Sequence, residues 1–254
     1  MKRNGLLQVA FMTVVLICTL LPISNTLASH AKTTYKVPIL TYHAIGNYEG
    51  RGTPALYVSE KNFEKQMNYL KSAGYTPITF LDLDDLKIFS KPVLITFIGG
   101  DQTVWKAYQI LKRINGADFA SKANLFMVMN KIDKATGLTS AQLQEMSASG
   151  IFSIQSHTIT NTDLTVTNNM QHELKDSQKL LEKITGQKAV ALAYPHGKYD
   201  EHVINATKEF YKYALTDEPG FITEQTNPYK LRRIPIDFTT TMAMFKEFVQ
   251  PRQD

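Results

Sequence analysis

Pro92-Val-Leu-Ile-Thr-Phe-Ile-Gly-Gly-Asp101 opens as a charge-free run rich in β-branched residues, Pro92–Phe97, and ends in two glycines and an aspartate. Its apolar residues do not alternate with polar ones. A strand exposed to water on one face alternates, whereas a strand covered on both faces reads as a continuous apolar run, and such strands belong to parallel sheets packed under helices. Working outward, Val37–Tyr42 (VPILTY) reads as a buried strand and Ala123–Met129 (ANLFMVM) as another apolar one, and Phe152–Gln155, Val190–Tyr194, Tyr213–Thr216 and Arg233–Ile236 read as strands, with Thr76–Phe80 as a shorter one. Helical spacing fills the intervals. Phe63, Met67 and Leu70 share a face of Ser59–Ala73, and Leu143 and Met146 share a face of Thr139–Ser149. Leu81–Ser90, Val104–Ile114, Met170–Thr185, Glu201–Phe210 and Met242–Val249 are the other predicted helices. Apolar strands regularly separated by helices predict an α/β protein, and this many repeats favour a closed or nearly closed, TIM-like barrel over an open sheet. In such barrels the chemistry sits at the C-terminal ends of the strands.

Composition narrows the class further. The chain has 254 residues, 43% of them hydrophobic and 20% charged, which excludes a disordered tail, a collagen-like repeat and a polytopic membrane protein. A net charge of +5 with no long basic run gives no footprint for nucleic acid. Lys2 and Arg3 precede an apolar stretch from Leu6 to Leu21, and Pro22 and small residues follow. That is the order of a secretory signal, with cleavage expected after Ala28 or Ala31; an uncleaved anchor helix is the competing reading. The expected organisation is therefore a signal peptide over 1–31 and one domain over 32–254, in a protein that is secreted or held at the cell surface or wall, with no membrane span in its mature form. Cys18 is the single cysteine and lies in the leader. Ile17 before it is not the small residue that lipidation requires, and the mature chain would have no cysteine and no disulfide. Loss of Lys2 and Arg3 would lower the charge from +5 to +3, so the charge says little about partners.

Five strand ends carry chemistry-bearing residues: Tyr42-His43; Ile98-Gly99-Gly100-Asp101; Ser156-His157-Thr158-Ile159-Thr160-Asn161; Tyr194-Pro195-His196-Gly197-Lys198-Tyr199; and Arg232-Arg233-Ile234-Pro235. In this order, together with LTSAQLQEMSASGIFSIQSHT, LAYPHGKYD and YKLRRIPI, they resemble the NodB-homology polysaccharide deacetylases from about Val37 to Ile236. The leading Tyr-His resembles the branch that acts on exopolysaccharide and biofilm polymers. The resemblance implies a distorted (β/α) barrel, a glycan containing N-acetylglucosamine (a matrix polysaccharide or peptidoglycan) as partner, and hydrolysis of the N-acetyl group by a metal-bound water. One Asp and two His hold the metal, a second Asp is the general base, and a His opposite protonates the leaving amine.

Carried over position by position, the resemblance is incomplete. The family reads Thr-Phe-Asp-Asp-Gly where this chain has Thr96-Phe97-Ile98-Gly99-Gly100, so the base position is Ile98 and a metal position is Gly99. It reads Ser-His-Thr-x-x-His where this chain has Ser156 to Asn161, so His157 keeps one metal position and Asn161 replaces the other. His43 occupies the general-acid position. Tyr194, Pro195, His196, Gly197 and Tyr199 form the substrate loop, whose backbone N–H faces the oxyanion in the family. Loss of a general base alone costs roughly 10²–10⁴ in rate, and one imidazole falls short of the three protein ligands of a catalytic zinc. The expectation is a glycan-directed but catalytically impaired relative with no metal cofactor. The alternative is an active deacetylase in which Asp101, His157 and His196 rebuild a site for zinc or another divalent ion. Against it, Asp101 is also well placed to cap the helix beginning near Thr103. Trp105 and Tyr108 have core spacing, Tyr199 is the better sugar-stacking candidate, and Arg232 and Arg233 read as surface charge.

Overall fold

The computed structural model describes residues 35–250 apart from 49 and 51. The leader, with Cys18, both cleavage positions and the competing anchor helix, lies outside the described residues. Among the described residues the strands are β1 Val37–Tyr42, β2 Ala44–Ile45, β3 Tyr57–Val58, β4 Thr76–Ile78, β5 Pro92–Gly99, β6 Ala123–Met127, β7 Phe152–Ser156, β8 Ala191–Ala193, β9 Tyr213–Leu215, β10 Phe221–Ile222 and β11 Ile234–Pro235. The α-helices are α1 Glu60–Ser72, α2 Val104–Ile114, α3 Ser140–Ala148, α4 Ser177–Thr185, α5 Glu201–Lys208 and α6 Met242–Val249.

One sheet runs in the order β10-β1-β5-β6-β7-β8-β9, with β4 beside β5 and β11 beside β1. The pairs from β1 through β9 are parallel, as the uncharged β5 predicts; β10 adds an antiparallel partner at the start of β1. The segment from Leu231 to Ile236 brings the two ends together. Leu231 bridges to Leu215 of β9; Ile234 and Pro235 run beside Leu40 and Thr41 of β1; and the Ile236 N–H donates to the Thr41 carbonyl at 2.8 Å. The curled sheet is thus a distorted (β/α) barrel.

Alternation along each strand sorts side chains into two cores. Val93, Ile95 and Phe97 of β5, Leu40 and Tyr42 of β1 and Leu125 and Met127 of β6 pack outward under the helices. Leu94 and Ile98 of β5, Ile39 of β1 and Phe126 of β6 point inward, with Ala191, Ala193 and Leu215. Polar inward-facing residues repair the distortion. β7 and β8 share only the Ser156–Leu192 register, and Gln155 Oε1 accepts the Val190 and Ala191 N–H groups at 2.8 and 2.7 Å. Asn124 Oδ1 accepts the Phe80 N–H at 3.1 Å, just beyond the end of β4. Buried backbone groups that no ladder satisfies need such partners.

The helices begin where cap chemistry places them. Ser59 accepts the Asn62 N–H, Thr139 and Gln142 form a reciprocal capping box, Asp200 accepts the Val203 N–H, and Gly186 in the left-handed region closes α4. Several elements differ from the sequence reading, among them β10 (Phe221–Ile222), which it does not include. Thr76–Phe80 stops as a strand at Ile78, because Thr79 and Asp82 cap a 3-10 helix over Phe80–Ile88. The helix leading into α4 opens into a π-helical turn at His172–Asp176, at the point where Glu173 is drawn into the core. The two-residue pair β2–β3 has no periodic signature and was not expected.

Candidate functional site

The inward-facing rows of β1, β5 and β7 run out at His43, Ile98 and His157, and Arg233 enters from the residue before β11. These residues come from four segments distant in sequence and meet at the C-terminal mouth of the barrel.

His157 is 5% exposed. Its Nδ1 lies 2.8 Å from the Ala193 carbonyl; a carbonyl only accepts, so Nδ1 carries the proton and Nε2 is the free lone pair. Burial holds this imidazole neutral, down to about 3, against the Ala193 hydrogen bond that favours protonation; the charges of Arg233 and Lys131 and the nearby His43 act in the same direction as burial. His43 is lowered to about 4 by burial and then by Arg233 and Lys131. Both rings are therefore neutral at pH 7.

Arg233, read from sequence as surface charge, is 8% exposed. Its Nε donates to the Thr216 carbonyl at 2.8 Å, Nη2 pairs with Asp217, and Nη1 is buried without a partner. Burial pushes its guanidinium down to about 10. Lys131 comes from the 3-10 turn Met129–Lys131 after β6. Its Nζ lies 3.4 Å from the point where a Cβ would project from Gly99, so an ammonium stands beside the position where the family resemblance puts a metal-binding carboxylate. Gly99 itself has φ +100°, a conformation that L side chains rarely adopt.

The loop after β7 is held from below. Glu173, in the π-helical turn, is 4% exposed. It accepts the Ile159 and Thr160 N–H groups at 2.9 and 3.0 Å and the Thr160 hydroxyl at 2.7 Å. Thr158 and Asn161 both take positive φ, +66° and +62°, and Thr158 Oγ1 accepts the Asn161 N–H at 3.1 Å. A β-branched residue at positive φ is strained, and Glu173 is one of the groups that hold the loop there. The Asn161 side-chain oxygen is buried without a partner.

In the loop after β8 the sequence candidates separate. Tyr194 and Pro195 are buried; Tyr194 donates its hydroxyl to the Tyr229 carbonyl and stacks on Tyr199 at 5.2 Å between centroids. A buried ring cannot contact a glycan, so Tyr194 supports the loop from beneath. His196 is exposed, and its Nε2 donates to the Asn161 carbonyl at 3.2 Å. Tyr199 is half-buried, and its hydroxyl donates to Glu218 at 2.9 Å. Trp105 packs on the fully buried Tyr108 and belongs to the core.

Asp101 is engaged elsewhere. Its Oδ1 accepts the Thr103 N–H at 2.9 Å and its carbonyl accepts the Val104 N–H at 3.0 Å, which starts α2. It lines a separate cavity of about 220 Å³ with Gln102, Lys106 and Thr136. It is not brought together with His157 and His196, and among the described residues no group of three or more His, Cys, Asp and Glu side chains is placed to hold a metal ion. The donors present do not fit a catalytic zinc. His157 Nε2 and the neutral Asn161 oxygen make two, short of three, and Lys131 and Arg233 repel a dication.

Against this geometry the relatives can be placed. The family model described as polysaccharide deacetylase matches residues 89–214. YxkH of Bacillus subtilis, named for the same family, is 32% identical over 224 residues, covering 85% of this chain and 76% of that protein. The chain belongs to the polysaccharide deacetylase family. The crystal structure of the family protein BA0330 from Bacillus anthracis superposes with a TM-score of 0.84 at 39% identity, over 85% of this chain and 70% of that one. The Streptococcus pyogenes deacetylase PplD, solved with acetate, gives 0.78 at 26% identity, over 86% and 100%. The poly-β-1,6-N-acetyl-D-glucosamine N-deacetylase of Staphylococcus epidermidis is 24% identical over 212 residues, 75% of this chain and 72% of that protein. Within this deacetylase fold three residues escaped the sequence reading. Arg233 stood in a recognised phrase, YKLRRIPI, whose burial the sequence does not show. Glu173 and Lys131 carry no local motif, because their roles arise only from tertiary contact.

Proposed function

We propose that this chain is an exported member of the polysaccharide deacetylase family that engages a cell-surface or matrix glycan containing N-acetylglucosamine, with its metal-dependent hydrolysis impaired. The observation that carries the reading is the ammonium of Lys131 beside Gly99, next to Ile98 at the base position. A carboxylate dyad has been replaced by an apolar side chain and a bare backbone, and a fixed positive charge adjoins the space. His43 remains able to face a leaving group, but no side chain at Ile98 can take a proton from water. Without the base and the metal donors, substrate contact outlasts chemistry. Names of relatives support the glycan class: one is an N-deacetylase of a β-1,6-linked N-acetylglucosamine polymer.

The test is acetate release from N-acetylglucosamine oligomers by the purified chain, with and without added Zn²⁺ or Co²⁺, beside a pull-down on insoluble N-acetylglucosamine polymer. The expected outcome is retention on the polymer with no release above the enzyme-free blank. Chelator-sensitive release of acetate would overturn the impaired reading in favour of a rearranged site, and loss of retention would remove the glycan reading.

A further inference from the structure

We infer that the cavity between the loop after β8 and the segment leading into β11 is a second glycan subsite, beside the barrel mouth, that takes one neutral sugar ring. The inference rests on the glycan reading above and adds to it a place and a charge.

The cavity measures about 360 Å³, within the ~300–1,000 Å³ of small-ligand clefts. Tyr199 walls it from the loop after β8, Phe221 from β10, and Glu218 and Arg232 from the segments that follow β9 and precede β11. Adjacent residues divide it from the mouth. Arg233 is buried and pairs with Asp217, whereas Arg232, one residue earlier, is exposed and pairs with Glu218 at 3.3 Å. The Arg233 N–H donates to the Glu218 carbonyl at 3.0 Å, which holds the two ion pairs side by side.

The lining suits a pyranose, whose hydroxyls both donate and accept around a ring with C–H faces. Tyr199 and Phe221 supply aromatic surface. Tyr199 is fixed before a ligand arrives: it stacks on Tyr194 at 5.2 Å, its hydroxyl donates to Glu218 at 2.9 Å, and the Lys230 ammonium lies 5.5 Å from its ring centroid. Such preorganisation lowers the cost of binding. Glu218 and Arg232 set an acceptor beside a donor, the combination that a hydroxyl uses. Asn227 also lines the cavity; its side-chain oxygen accepts the Tyr229 N–H at 2.9 Å, and its amide nitrogen has no partner among the described residues. Gln225 adds a second amide at an exposed position. Charge selects a neutral ligand. Arg232 is matched by Glu218, and Lys230 by Glu201 of α5 at 3.3 Å, so an anion or a cation meets no uncompensated partner.

Binding of soluble N-acetylglucosamine oligomers to the full chain should be measured by calorimetry at low and high salt, with hydrogen exchange to locate the contact. The inference expects saturable binding with little salt dependence and slowed exchange at the Thr223 and Tyr229 amides, which lie in the turn bordering the cavity. Affinity should fall about tenfold in Arg232→Ala, through loss of a charge-assisted hydrogen bond. Arg232 and Glu218 are both about half exposed, and surface pairs contribute little to stability, so this variant folds. Gln225→Ala is a second probe with a smaller expected loss. Oligomer binding that both variants leave unchanged, or protection confined to the segments bearing His43 and His157, overturns the second subsite and leaves the glycan reading standing. Steep weakening by salt overturns the neutral ligand. No oligomer binding by the wild-type chain removes the glycan reading, and the subsite with it.

Discussion

Glu173 and Thr160 are joined at 2.7 Å, hydroxyl to carboxylate, across the base of the loop that presents His157 and Asn161. The same carboxylate takes two backbone N–H groups. Hydrogen bonds to a buried charge contribute more than neutral ones, about 1.5–3 kcal/mol. Glu173→Ala removes all three acceptances and leaves donors unpaired, so it should lower unfolding free energy by about 3 kcal/mol in chemical denaturation. Hydrogen exchange at the Ile159 and Thr160 amides should accelerate beyond what global destabilisation accounts for. An unchanged denaturation midpoint would show that the loop is held by other contacts.

The two mouth histidines set an acid limit. Each is neutral when folded, with values of about 4 for His43 and about 3 for His157, against an unfolded value near 6.5. Between these limits the unfolded chain binds more protons, so stability rises with pH through that window and is lost as pH falls from about 6.5 toward 4. Denaturation midpoints measured from pH 7.5 to 4 should decline over that range. Burial is the main cause at both residues and the two cations a lesser one. His43→Gln should therefore flatten the decline, and Lys131→Gln should moderate it. A wild-type profile flat above pH 4.5 would contradict the buried neutral state.

Much of the barrel was legible because its strands are covered on both faces. β5 announces itself by lacking charge, and Ser59, Thr139, Asp200 and Gly186 mark helix ends by local chemistry. The strand ends that carry His43, Ile98 and His157 followed from the strand reading, and their place in the site from the family resemblance. Arg233 was not legible as a buried group, since its burial depends on the closure of β11 against β1. Glu173 looks like any charged residue on a helix until the π-helical turn carries it inward. Tyr194, read as a substrate contact, is instead a support, because it continues the outward row of Leu192 just past β8 and its ring is buried in the outer core.

Gly100 tests how tightly the end of β5 packs. It sits at φ +77°, and a Cβ there would collide with the Met127 thioether. Gly100→Ala combines a left-handed backbone with overpacking, together worth about 2–4 kcal/mol. Gly74→Ala, at φ +74° but with nothing near the added carbon, carries the backbone cost alone. The difference between the two in thermal or chemical denaturation isolates the Met127 contact; equal losses would mean that Met127 moves aside freely.

Reinstating the family residues meets obstacles that the sequence comparison does not reveal. Ile98→Asp places a carboxylate at an 8% exposed position, and burial of a charge without designed partners is unfavourable. Gly99→Asp must hold a side chain at φ +100°, a strain of about 1–3 kcal/mol, with the Lys131 ammonium 3.4 Å from its Cβ. Asn161→His is easier, since position 161 already holds a side chain at φ +62°. The triple variant should consequently be less stable than the parent and should bind Zn²⁺ poorly while Lys131 is present. Adding Lys131→Ala to the triple variant removes the competing cation and should strengthen zinc binding in calorimetry by at least tenfold, with acetate release appearing only then. Tight zinc binding by the triple variant with Lys131 intact would show that the ammonium swings away readily, and that substitution of the ligands alone had emptied the site.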